Sequence, residues 1–135
     1  MASAKIVIGG GMSGVALGMT RAEVVSQLGQ PNSVKRGTNA TNGGKFRVLS
    51  FNKKLQVTMT GGSVSNIRTE GMGQKTSNGV GVGSSRKQVK NNVPKVKCSF
   101  GVCRVGNDQA GTVQTDFILN KDKNVSAVNI GVLFD

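Results

Sequence analysis

The stretch GVALGMTRAEV, Gly14 to Val24, recurs as GVGVGSSRKQV, Gly79 to Val89. Five of the eleven positions are identical, Gly14/Gly79, Val15/Val80, Gly18/Gly83, Arg21/Arg86 and Val24/Val89, at a constant offset of 65 residues. A self-match at fixed spacing is the signature of a duplicated structural unit. It decides between two readings of the N-terminus. One makes the chain a nucleotide enzyme; the other makes it a repeated module with no chemistry of its own.

Each copy leads into a short helix. Thr20 stands at an N-cap with Glu23 at N3, the pattern of a capping box. Val24 and Leu28 then share one helix face, and Gly29 and Pro31 stop the helix. In the second copy Ser85 is the cap and Gln88 takes the N3 place. Val89 and Val93 supply the apolar face, and Pro94 ends the helix.

Strands follow each helix. Residues 45–51 read as one. Leu55, Val57 and Met59 alternate with polar residues in the next, the period of a half-buried strand. Gly61-Gly62 is a hairpin signal, and residues 63–69 return. The second half offers strands at 96–98, 103–105, 112–119 and 124–134. Val64 and Ile67 are three apart, and so are Val125 and Val128; a bulge in the last strand of each half would explain both breaks of period two. Residues 37–44 read as a polar loop and 71–78 as the linker-like stretch.

The expected fold is therefore α+β, two tandem helix-plus-antiparallel-sheet units with short helices packed on a meander sheet. The first unit spans 1–72 and includes a short N-terminal strand at 5–8; the second spans 73–135. At 135 residues the two together make one compact domain.

The competing reading rests on KIVIGGGMSG, Lys5 to Gly14, a strand followed by G-x-G-x-x-G at Gly9, Gly11 and Gly14. In a dinucleotide-binding unit those glycines make the turn, admit the pyrophosphate and pack helix on strand. Here the strongest helix start is at Thr20, not inside the motif. Residues 30–36 hold no acid to meet a ribose, and the second copy has no such motif before it. Gly14 belongs to the repeat, so a dinucleotide enzyme is the remote alternative and no cofactor is expected.

Little else offers catalysis. The chain has no His, which removes Ser-His and Cys-His nucleophile pairs. Glu23 is used in the cap, Asp116 lies mid-strand toward solvent, and Asp108 and Asp122 read as turn residues. Cys98 and Cys103 flank a hairpin-sized loop. They read either as a disulfide, which would place the chain in an oxidising compartment, or as two buried thiols. Two cysteines without His make a poor metal set. No apolar run approaches ~18 residues, so no membrane-spanning helix is expected. The first residues lack the charged and long apolar regions of a signal peptide.

Charge points to partners rather than chemistry. The net charge is +12, from 18 basic and 6 acidic residues, and both halves share it. Such a field favours nucleic acid, acidic polymers or an acidic protein. Arg86, Lys87 and Lys90 on the second helix, with Lys95 and Lys97 after it, form either a polyanion contact or a solvated helix surface. Only Phe100 lies near them for base stacking.

The pattern Gly18-x-Thr20-x3-Val24-x3-Leu28-Gly29-x-Pro31 resembles the helix motif of the BamE-like and β-lactamase-inhibitor-protein-like superfamily. The second half is similar to the C-terminal part of uncharacterised secreted actinobacterial proteins, through Gly79 to Ser85, Val93 to Val96, Cys98/Cys103 and Val113 to Leu119. The resemblance implies a non-catalytic module, secreted or in the cell envelope, that works by contact with another protein. The inhibitor's gripping face is aromatic, whereas this chain has no Tyr or Trp.

Overall fold

A computed structural model describes residues 5–38, 44–106, 109 and 111–132. Three two-residue strands come first: β1 (Ile6–Val7), β2 (Gly11–Met12) and β3 (Val15–Ala16). Helix α1 (Arg21–Leu28) follows, then β4 (Ser33–Thr38), β5 (Lys45–Phe51), β6 (Leu55–Thr60) and β7 (Ser63–Thr69). Helix α2 (Arg86–Asn92) leads into β8 (Lys97–Ser99), β9 (Val102–Val105), β10 (Val113–Leu119) and β11 (Val125–Val132).

The expected α+β class is corrected by this architecture. The described residues form eleven strands and two helices of 8 and 7 residues, so the protein is mostly β. Nor is the chain a series of helix-plus-sheet units. The strands merge into one eight-stranded antiparallel sheet, in the order β4-β5-β6-β7-β11-β10-β9-β8, beside a three-stranded sheet of β1-β2-β3. The physical reason is an edge. β7 and β11 each end a meander with unpaired backbone groups, and pairing them removes two exposed edges at once. The helices add little to the core, since each buries a single residue completely, Val24 and Val89.

The sequence offset nonetheless has local counterparts. Gly18 N–H donates to Val64 C=O and Val64 N–H to Met19 C=O, both at 2.8 Å. Gly83 N–H donates to Val125 C=O and Val125 N–H to Ser84 C=O, again at 2.8 Å. Gly18 and Gly83 both take left-handed backbone, φ 88° and 98°, which suits glycine and turns the chain toward its helix. Both capping boxes form: Thr20 with Glu23, and Ser85 with Gln88.

The two bulges are present as well. Register slips between Thr58 and Met59 opposite β7, and between Ile118 and Leu119 opposite β11. The extra residue is a serine each time. Ser65 Oγ donates to Thr58 C=O at 3.3 Å and Ser126 Oγ to Ile118 C=O at 3.2 Å.

Two stretches differ from expectation. Gly37 and Thr38 belong to β4, a strand the pattern hides because its residues are nearly all exposed; residues 39–43 lie outside the described residues. The linker-like 71–78 is packed, with Gln74 and Thr76 buried and Lys75 bridging to Lys5 and Gly81. One face of the large sheet holds the core. Leu49, Val57, Ile67, Val128, Ile130 and Phe117 meet Val24 and Val89 of the helices and Ile6, Met12 and Val15 of the small sheet. Both helices therefore lie on that side, and the opposite face stays open.

Candidate interaction surfaces

Alternation along the strands builds the open face. One register row crosses all eight strands: Ser33, Ser50, Gln56, Arg68, Asn129, Asp116, Arg104 and Lys97. Every member is polar. Arg104 grips Asp116 side-on, Nε to Oδ1 at 2.6 Å and Nη2 to Oδ2 at 3.0 Å. Asn66 and Asn129 exchange amide hydrogen bonds at 2.9 and 2.8 Å across β7 and β11. Arg68 lies 3.7 Å from Glu70. The centre of the face is thus internally paired and offers directed donors and acceptors, while Lys35 and Lys97 sit exposed toward its two ends.

Asp116 stands where the sequence placed it, on the solvent-facing side, with Arg104 as an ion partner the spacing did not show. Glu23 is held in its cap, its Oε1 accepting from Thr20 N–H and Oγ1 at 3.1 Å. Asp108 and Asp135 lie outside the described residues.

The basic residues singled out from sequence divide. Arg86, Lys87 and Lys90 come together in a groove of about 440 Å³ with Lys123, but Asp122 lines it too. The Arg86 Nε is buried there with no hydrogen-bond acceptor among the described residues. Lys95 lines a separate depression with Lys90, and Lys97 turns to the open face opposite Arg104.

A second groove, of about 680 Å³, is lined by Arg21, Arg36, Lys45 and Arg47 with Phe46 and Met59. Sequence reasoning missed it because Arg36 lay in a stretch with no strand pattern. The identity Arg21/Arg86 was the one signal for it, since both repeated arginines line a groove at the start of a helix.

Cys98 and Cys103 form a disulfide. They are register partners on β8 and β9, with Cα atoms 3.9 Å apart, closer than the ~5–6 Å usual for a disulfide. They lie one step from the two-residue turn Phe100-Gly101, where the closing pair Ser99 and Val102 is hydrogen-bonded and the next is a close pair. Cys103 is fully buried and Phe100 fully exposed.

The glycine motif does not build a dinucleotide site. Gly11 pairs with Ala16 in the small sheet, and a Cβ there would overlap Val15 C=O. Gly9 N–H donates to Thr115 Oγ1 at 2.8 Å, so the loop packs on the core side of the large sheet. The first helix begins at Arg21, and the strands pair antiparallel rather than through crossover helices.

These elements define a wide antiparallel sheet with one covered and one open face, and solved structures share that fold. A cysteine-rich secretory protein from Staphylococcus aureus superposes with a TM-score of 0.54 at 12% identity, over 86% of this chain and 44% of its own. An extracellular protein containing an SCP domain from Bacillus anthracis gives 0.54 at 11% identity, again 86% and 44%. The uncharacterised protein yfeY of Escherichia coli gives 0.51 at 12%, over 93% of this chain and 95% of that one. The chain spans under half the length of the first two. At such identities the likeness is one of fold. No protein-family model matches the sequence, and no curated protein matches it. Among the described residues no helix is long and apolar enough to cross a membrane.

Proposed function

We propose that the chain is a non-catalytic protein-interaction module working outside the cytoplasm, secreted or in the envelope, and that the open sheet face is its contact surface. The observation that carries this is the face itself, eight strands wide and polar along its whole central row. A face whose central charges are already paired favours directional contact with a folded surface over loose electrostatic capture. Lys35 and Lys97 at its flanks, in a chain of net charge +12, suit a partner whose matching surface is acidic. The disulfide supports an oxidising compartment, and two proteins of similar fold are described as secretory or extracellular. The BamE-like and inhibitor-like resemblance of the helix motif belongs to this reading.

The test is capture of a stoichiometric partner from the native envelope or medium by three proteins: wild type, Gln56→Glu/Lys97→Glu on the open face, and Lys87→Gln/Lys90→Gln on α2. The reading expects the partner to survive the α2 change and to be lost with the open-face change at an unaltered melting temperature. A partner retained by the open-face variant overturns it.

The second reading is a polyanion-binding protein acting through Arg86, Lys87 and Lys90, favoured by the acceptor-less Arg86 Nε. Salt separates the two, because polyanion binding weakens steeply as salt rises.

A further inference from the structure

The larger groove gathers its cations on the helix side of the sheet, away from the polar row of the open face. Its cations come from three elements: Arg21 from the first position of α1, Arg36 from β4, and Lys45 and Arg47 from β5. Among the described residues none of the four has a carboxylate within ion-pair distance.

Three features of this groove oppose the folded state by themselves. Arg36 and Arg47 face each other directly across the β4–β5 register, where like charges repel. Arg21 sits in the first turn of α1, where the positive end of the helix dipole disfavours a cation. The acid of that turn, Glu23, is already engaged with Thr20. Lys45 adds a fourth charge on the same strand face as Arg47. Local conflicts that converge on one concavity mark a functional site rather than a structural one.

We infer that this groove binds an anion carrying two or more phosphate groups. Guanidinium forks match phosphate oxygens in pairs, and three of the four cations are arginines. The volume falls within the ~300–1,000 Å³ of small-molecule sites and exceeds the needs of one phosphate. Met59, on the same sheet face as Arg36 and Arg47, gives the groove an apolar patch for whatever bears the phosphates.

The experiment is calorimetric titration of the full chain with inorganic tripolyphosphate at fixed ionic strength. Wild type is expected to bind one equivalent. Each arginine supplies charge-assisted bonds, so Arg36→Gln weakens binding about tenfold and Arg36→Gln/Arg47→Gln about a hundredfold. Without tripolyphosphate the double variant melts no lower than wild type, because a repulsive pair has been removed. This keeps loss of binding distinct from loss of fold. Lys87→Gln/Lys90→Gln on α2 retains wild-type binding. Competition with a thymidine hexanucleotide separates the sources: displacement assigns the groove to a phosphodiester chain, and failure to displace assigns it to a free oligophosphate. Undiminished binding by the double arginine variant overturns the inference, as does equal weakening by the α2 variant or equal displacement by citrate. None of those results bears on the open-face reading.

Discussion

Substituting Gly131 by alanine probes the seam that makes two meanders one sheet. β7 and β11 are joined through four register pairs, and Gly131 lies opposite Asn66 in the last of them. A Cβ at Gly131 would overlap Asn66 Oδ1. The backbone at Gly131 is not left-handed, so alanine itself fits and the clash acts through Asn66. That amide must swing away, and its two hydrogen bonds with Asn129 are lost. At about 1 kcal/mol per bond, Gly131→Ala costs about 2 kcal/mol. Unfolding entropy for a chain of this length is on the order of 280 cal/mol/K, so the melting temperature falls by about 7 °C. Asn66→Ala removes the same two bonds and costs about the same. The double variant is the discriminating one. The methyl group added by Gly131→Ala then occupies the space that Asn66→Ala vacates. The pair costs about 2 kcal/mol rather than about 4, less whatever alanine gains over glycine in a strand. Thermal and urea unfolding of the four proteins measure this directly. Additive costs, with a coupling under about 0.5 kcal/mol, refute the reasoning.

Replacing both cysteines by serine should lower stability by about 2 kcal/mol, the chain-entropy value for so short a loop. Amide exchange should quicken in β8, which among the described residues is an edge strand paired with β9; unchanged protection there would contradict it. Phe117→Ala, at the largest fully buried side chain, should cost about 3–5 kcal/mol in urea unfolding. Thr20→Ala and Ser85→Ala should each cost about 1 kcal/mol, since both lose the side-chain oxygen that accepts the N3 N–H. A loss at one cap only would show that the two helix starts are not equivalent in energy.

Much of the local structure is legible in the residue order. Glu23 three places after Thr20 and Gln88 three after Ser85 announce helix starts that form as read. The breaks of period two at Val64/Ile67 and Val125/Val128 announce bulges that form at Ser65 and Ser126. What misled was the weight given to those helices. A capping box fixes where a helix begins, but each helix is short and buries one side chain fully, so the fold class is decided by strands. Arg36 shows the same limit for the candidate sites. Its strand has no apolar alternation, so nothing in the order of residues sets it opposite Arg47.

By itself, then, the sequence determined the features that depend on near neighbours: the repeated helix entries through Gly18 and Gly83, the caps, the bulged strands, and two cysteines flanking a hairpin-sized loop. Only the tertiary structure decided the pairing of β7 with β11, the single mostly-β sheet that results, the polar row across its open face, and the convergence of Arg21, Arg36, Lys45 and Arg47. The reason is range. Helix caps and strand periods are set by residues a few positions apart, whereas strand edges choose partners by which unpaired backbone is within reach, and those partners lie some sixty residues away.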